Sequence, residues 1–313
     1  MSNPANFAGR VEIVLRQRDG RVADANLRVM RPTAADAMVG RSADEAQRLL
    51  PLLYSICGVA QGAAVRLAIA AARGEPAAPA VDADVLAEAR REHLWRLLLD
   101  WPALLGLPRE EALLVEAVRH LKRGGFEAWR DAALRAPLAR LGAALDACAE
   151  APVPTRLLPV MSAAQSLAVW PRLDAGFAAA PHFEGRAAET GALARRAPAV
   201  GAASSAERVR ARIAEVFEDS SLGCASAATV APGVGRAVVE TARGTLMHEV
   251  ALDGGCVVAC VVVAPTEWNF HPGGGLAAML AGLAPAAAAD LRAAAERAVL
   301  AFDPCVRCDI EVG

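Results

Sequence analysis

Residues 302–308 read "FDPCVRC", and only "DIEVG" follows before the end of the 313-residue chain. Two thiols, Cys305 and Cys308, stand three positions apart directly after Asp303-Pro304. Proline cannot donate into a helical ladder and biases the residue before it away from helical geometry. The stretch therefore predicts the stop of a helix running over about 286–301. The thiol spacing suits two thiolates on one metal ion, a disulfide, or two unrelated cysteines, and spacing alone leaves all three open.

Composition narrows what such a pair could serve. Seven cysteines, an odd number, follow an opening "MSNPANFAGRVEI" that lacks a basic region leading into an apolar one. This predicts reduced thiols in a cytoplasmic protein rather than a disulfide framework. Hydrophobic residues make up 55%, but much of that is alanine, and runs such as "GAAVRLAIAAA" are broken by arginine. They are too short to span a bilayer, so no membrane partner is expected. Lys and Arg number 33 against 35 Asp and Glu, scattered along the chain, which argues against nucleic acid as a partner.

Local patterns predict an α+β, predominantly α-helical fold in a single domain over 1–313. "RVEIVLRQRDGRVADANLRV" alternates apolar and polar residues around Asp19-Gly20, a hairpin signal within an N-terminal β region over 1–40. A helical core over 41–220 follows. Residues 43–54 read as a helix with Pro51 as an irregularity, and helical character resumes from about Ala60 to Ala72. "GEPAAPAVDA" reads as a linker or loop. Val85, Leu86, Ala89, Leu94, Leu97, Leu98 and Trp101 recur at helical spacing, and another amphipathic helix covers about 109–123. Ser204 with Glu207 predicts a capping box for a helix reaching about Phe217. Residues 221–313 hold two strands about the turn in "LDGGC", then the C-terminal helix and the CxxC.

The other cysteines divide by context. Cys256 and Cys260, four apart in an apolar strand, face one side as small buried hydrophobes, and Cys148 and Cys224 read as structural. Cys57 differs: "SICGVAQ" puts it at a helix break beside Gly58, where backbone can approach a ligand closely.

Several stretches, in order along the chain, resemble the large subunit of nickel–iron hydrogenases. "FDPCVRC" is similar to that family's DPCxxC and "SICGVAQ" to its RxCGxCxxxH. "FEGRAAETGALAR" resembles the segment ending E-x-G-P-L-A-R, "ETARGTLMH" resembles E-A-P-R-G-x-L-x-H, and "APTEWN" resembles P-[ST]-x-W-N. "EHLWRLLLDW" is similar to a family helix. The departures are selective. Ser55, Ala60 and Ala64 stand where RxCGxCxxxH has its Arg, second Cys and His, and Ala34 stands at the Glu of the proton-transferring RGxE motif. Glu311 stands where the family has a His, and the C-terminal extension that an enzyme precursor carries is not expected here. Retention and loss in this pattern resemble the HoxV/HupK-type hydrogenase assembly proteins, shortened relatives of the large subunit.

The resemblance implies a large-subunit-like helical core with short antiparallel β elements near both ends, and a maturation role without hydrogenase turnover. It implies Cys57, Cys305 and Cys308 as thiolate ligands of an Fe(CN)2(CO) unit, no nickel, and Arg243 and Thr266 as donors to the cyanides. Without the resemblance, Arg243 reads as a surface arginine and Thr266 as a turn residue. His248 is expected to pack, Trp268 and Asn269 to lock their loop, and Glu189 and Gly191 to hold the fold. The implied partners are the HypC/HypD-type maturation proteins and the apo hydrogenase large subunit. Two other readings are a metal-free large-subunit mimic that acts as a chaperone, and a dithiol enzyme with a reversible Cys305–Cys308 disulfide.

Overall fold

A computed structural model describes residues 9–18, 21–30, 35–54, 56–148, 150–198, 200–218, 220–284 and 287–313. The Asp19-Gly20 turn, Ala34 and Ser55 lie outside the described residues. Val11, Ile13 and Leu15, alternate in sequence and fully buried, place one face of β1 (Arg10–Arg18) on the core. It pairs antiparallel with β2 (Arg21–Met30), as the alternation predicts. Ser42 and Glu45 cap α1 (Ala43–Leu49) reciprocally, and Pro51 diverts the chain into a 3-10 turn, Leu50–Leu53. There follow α2 (Gly58–Ala72), β3 (Ala77–Val81), α3 (Ala83–Trp95), a π-helical turn (Arg96–Asp100), α4 (Trp101–Leu104) and α5 (Glu111–Arg123). Next come α6 (Phe126–Ala133), α7 (Arg135–Asp146), β4 (Val153–Pro154), α8 (Ala163–Val169), α9 (Ala175–Ala179), α10 (Ala192–Arg196), β5 (Ala202–Ala203) and α11 (Ser205–Phe217). The chain closes with β6 (Cys224–Ala231), β7 (Val234–Thr241), β8 (Gly244–Asp253), β9 (Cys256–Val263), α12 (Pro265–Asn269), α13 (Gly275–Ala281), α14 (Ala288–Ala301) and β10 (Arg307–Val312).

The main sheet has the order β3-β6-β7-β8-β9, with antiparallel neighbours throughout. Alternation along β7 sends Ala237 and Val239 to one face and Val238 to the other. The first face receives α2 so closely that a Cβ at Gly235 would sit 2.1 Å from the Ala68 carbonyl, so only glycine fits. The second face is covered by the segment carrying Leu158, Met161 and Trp170, with the Trp268 ring 5.7 Å from that of Trp170 and tilted against it by 54°. With both faces covered, every residue of β7 is buried. Two readings change here. The stretch read as a linker supplies edge strand β3, and β6 and β7 extend the expected C-terminal hairpin into this sheet. Cys256 and Cys260 also part company, since Cys256 opens β9 exposed while Cys260 is buried.

A second core joins β1 to the helical layer of α3, α5, α6, α7, α11 and α14. The capping box of α11 forms as expected: Ser204 N–H donates to Glu207 Oε2 at 2.6 Å, and Glu207 N–H to Ser204 Oγ at 3.3 Å. After α14 the chain reverses through Asp303-Pro304, and β10 lies parallel to β1, with Cys308 in register with Val11. Among the described residues no helix is long and apolar enough to cross a membrane.

Candidate metal centre

Three separate pieces of backbone carry the three predicted thiols. Cys57 is the residue before α2, Cys305 follows the Asp303-Pro304 reversal, and Cys308 is the second residue of β10. All three are half-buried and reduced. Thr266, buried at the first turn of α12, lies with Oγ1 2.9 Å from Cys305 Sγ, and its oxygen also receives the Cys305 backbone N–H at 3.5 Å. Asn269, one turn on, fixes the surroundings. Its Oδ1 accepts from Thr190 N–H at 2.9 Å, and its amide N–H groups donate to the carbonyls of Arg243 at 3.2 Å and Phe302 at 3.4 Å. One side chain thus ties three of the sequence segments together, the loop-locking role expected of it. The tie demands glycine at Gly244 (φ +130°), where a Cβ would fall 2.4 Å from Thr190 Cγ2. Glu189 accepts two bonds from Arg208, at 2.8 and 2.7 Å, consistent with holding the fold.

Burial pushes the Cys57 thiol up to about 12; neighbouring Cys305 adds to this, while Arg243 and a hydrogen bond from Gln61 oppose it. Burial likewise pushes Cys308 up to about 12, with Cys305 again adding and Arg96 opposing. Cys305 is therefore the electrostatic neighbour of both other thiols. At rest Cys57 and Cys308 are protonated, so a metal that binds them displaces protons. Among the described residues no three His, Cys, Asp or Glu side chains converge closely enough to enclose a metal ion.

Arg243 is a buried side chain rather than a surface one. Its Nη2 lies 3.3 Å from Glu92 and its Nε 3.4 Å from Asp303, yet Nε has no hydrogen-bond acceptor among the described residues. Asp303 is the hub. It is fully enclosed, in the left-handed region (φ +53°), and faced by Arg96 at 2.8 Å, Arg243 at 3.4 Å and Arg212 at 3.8 Å. Burial alone would raise its carboxyl; Arg243, Arg96 and Arg212 overcome that and hold it well below the usual range. Arg96 reaches this position from the π-helical turn, which re-aims side chains relative to a regular helix, and it also donates to the Pro304 carbonyl at 2.8 Å. Asp303, read from sequence only as a helix stop, is the electrostatic anchor of the CxxC.

Behind Cys57 a second network missed by spacing arguments appears. Gln61, one turn along α2, donates an amide N–H to Cys57 Sγ at 3.7 Å and receives His248 Nε2 on its Oε1 at 2.7 Å. Burial pushes His248 down to about 3, so the imidazole is neutral; the tautomer that suits the contact carries its proton on Nε2. Of the two roles open to His248, packing and support behind the thiols, the first is the one expected, and the ring does both, since it orients the amide that meets Cys57. Glu88 accepts the Val59 and Ala60 backbone N–H groups at 2.9 and 3.0 Å, closing the amino end of α2. Ala60 and Ala64, at the positions of the absent Cys and His, lie fully buried in the core of α2. A cleft of about 690 Å³ runs from Ile56 past Trp95 and Arg96 to Arg243 and opens to solvent.

No protein-family model matches the chain. It is 33% identical to the hydrogenase expression/formation protein HoxV of Cupriavidus necator, over 90% of this chain and 91% of that protein. It is 34% identical to the hydrogenase expression/formation protein HupK of Rhizobium leguminosarum, with 88% of each covered. With HupK of Azotobacter vinelandii the identity is 32% over 98% of this chain and 99% of the other. Among solved structures, the reduced Ni-Fe-Se hydrogenase of Desulfovibrio vulgaris Hildenborough superposes with a TM-score of 0.64 at 15% identity, covering 92% of this chain and 94% of that one. An NAD+-reducing nickel–iron hydrogenase superposes at 0.62 with 16% identity, over 92% and 93%. The fold is that of a hydrogenase large subunit.

Proposed function

The chain belongs to the HoxV/HupK family of hydrogenase expression/formation proteins, with a role in hydrogenase maturation, and from that premise we propose that it receives, holds and passes on the Fe(CN)2(CO) unit. The observation that supports this most is the setting of Cys305. It neighbours both other thiols, touches Thr266, and stands near buried Arg243, whose Nε faces Asp303 at 3.4 Å with no hydrogen-bond acceptor among the described residues. Thiolates suit an electron-rich iron, and a buried guanidinium with a spare N–H suits a cyanide nitrogen. Thr266 gives its hydroxyl to the Cys305 pair, or turns it to a second cyanide once the sulfur is committed to iron.

Transfer is ligand exchange. Iron–sulfur bonds to the donor protein break as bonds to Cys305 and Cys308 or Cys57 form, and the protons of these thiols pass to the departing donor thiolates. Iron keeps its oxidation state, and cyanide and carbon monoxide stay bound. Hydrogen turnover is not part of the reading, because Ala60 offers no fourth thiolate for a bridged nickel. The donor is a HypC/HypD-type protein, and the acceptor is the apo hydrogenase large subunit.

The second reading, a metal-free large-subunit mimic, draws support from the lack of a closed three-donor cluster among the described residues. Infrared spectroscopy with metal analysis separates the two, on protein isolated anaerobically from cells with an intact maturation pathway. Cyanide and carbonyl bands with iron and no nickel, lost in Cys308→Ala, are expected. Absence of bands and iron in a protein that still restores hydrogenase maturation would overturn the carrier reading in favour of the mimic.

A further inference from the structure

The cleft beside the thiols has an unusual lining for a solvent-open feature. Ile56, adjacent to Cys57, and Trp95, the last residue of α3, contribute apolar lining. Leu114, Val115 and Val118 on α5 add more. Trp95 is 49% exposed and Val115 60%, so large apolar surface stands uncovered at the rim. The floor is cationic: Arg91, Arg96 and Arg243 line it against one carboxylate, Glu92. Asp303 and Asp100 offset part of this from behind, but Arg212 adds another guanidinium to the Asp303 hub, leaving positive charge in surplus. Nearby Glu88 is spent on the amides of α2. Arg243, only 5% exposed, also lines the cleft, with its Nε turned inward to face Asp303 at 3.4 Å.

We propose that this cleft is the docking slot for the iron donor: an extended segment of a partner protein with apolar side chains flanking an anionic, thiolate-bound iron. The inference deepens the carrier reading and rests on it for the identity of the anion. Apolar walls recognise the flanks, and the guanidinium floor recognises the metal–thiolate anion, delivering it beside Cys57. A volume of about 690 Å³ fits a short peptide segment rather than a folded domain. Charge complementarity commits the slot to the donor: the arginine-rich lining suits a segment that carries the anionic iron unit, which the apo acceptor by definition lacks. Within the slot the exchange is neutral in electrons, with iron–sulfur bonds swapped and thiol protons leaving on the donor sulfur.

The test measures binding of purified HypC-type protein carrying the iron unit, by calorimetry, to the full chain and to Trp95→Glu, Val115→Glu and Val258→Glu. Val258 is 51% exposed on β9 and lies outside the cleft, so it serves as the control. All three positions are at the surface, and melting curves check that the variants fold. The cleft variants are expected to bind at least tenfold more weakly, the control within twofold of the parent. The iron-free donor is expected to bind more weakly than the loaded one. Unchanged binding by both cleft variants overturns the slot, as does a preference of the cleft for the apo large subunit or for a second copy of this chain. Infrared bands keep the two ideas apart. Bands in the parent and equally in both cleft variants reject the slot and leave the carrier reading standing. Loss of donor binding in the cleft variants, with no bands in the parent, rejects the carrier reading and leaves the slot standing.

Discussion

Two buried arginines, Arg195 and Arg243, reach neighbouring residues of α3 in opposite conditions, Arg195 through Glu215 to His93 and Arg243 directly to Glu92. Arg195 is saturated. It grips Glu215 through Nε at 2.6 Å and Nη2 at 2.8 Å, Glu240 at 2.8 Å, and the Thr241 carbonyl at 3.0 Å. Glu215 in turn takes His93 at 3.0 Å and the Ser220 hydroxyl at 3.0 Å, and Glu240 takes the Thr245 hydroxyl at 2.7 Å. Among the described residues, Arg243 has only the looser contacts to Glu92 and Asp303 and an Nε without a hydrogen-bond acceptor. A desolvated guanidinium costs free energy unless its donors are paired. Where every nitrogen is paired, the arginine holds the fold; where one is spare beside thiols, a ligand can supply the missing acceptor. Burial alone does not separate the two cases, but the hydrogen-bond inventory does.

The comparison breaks first on stability. Arg195→Met leaves Glu215 and Glu240 without their cation and is expected to cost about 3–5 kcal/mol in urea unfolding. Arg243→Met leaves Asp303 still faced by Arg96 and Arg212, and is expected to cost less than half as much while abolishing the iron infrared bands. Equal losses from both variants would mean that Arg243 is a structural residue like Arg195.

Asp303→Asn sharpens the picture next, at about 1–3 kcal/mol near neutral pH. The folded-state carboxyl lies below its unfolded value, so its stabilisation is present above about pH 4 and is lost as pH falls through the folded pKa. Glu215 is also held low: burial raises it, but Arg195 and His93 overcome that, so it contributes to the same acid limb. Urea titrations across acid pH should therefore show a shallower limb in Asp303→Asn than in the parent, with the Glu215 part retained. An unchanged limb would remove Asp303 as the electrostatic anchor.

Near neutral pH the smallest effect concerns His248, whose burial holds its folded pKa near 3 against an ordinary value of 6.5. A depressed pKa means that stability is fully present above 6.5 and falls as pH drops toward 3, by up to about 1.4 kcal/mol per pH unit. His248→Asn should lose that one-proton slope in the same window. An identical slope would show that the ring is not held neutral against Gln61.

Local chemistry made much of this legible in the sequence. The alternation of Val11, Ile13 and Leu15, the Ser204–Glu207 box and the Asp303-Pro304 stop are rules of neighbouring residues, and each appears where expected. The linker reading of 77–81 failed because an Ala- and Pro-rich edge strand has neither the β-branched content nor the alternation of a typical one, and its partner β6 lies far along the chain. Strand β6 escaped notice because alanine, a helix former depleted in strands, carries little periodic strand signal in "CASAATVA".

The identity of the donor groups was determined by the sequence itself: Cys57, Cys305, Cys308, Arg243 and Thr266 are present, and the second thiol of the helix motif is Ala60. What each group is able to do was decided only by the tertiary structure. Arg243 meets Glu92, Gln61 meets His248, and Arg96 meets Asp303 across separations of more than a hundred residues, beyond the reach of any spacing rule. A thiol's protonation and a guanidinium's spare donor are set by burial and by the charges a few ångströms away. Those surroundings exist only once α2, the reversal after α14 and the turn before β8 have packed together.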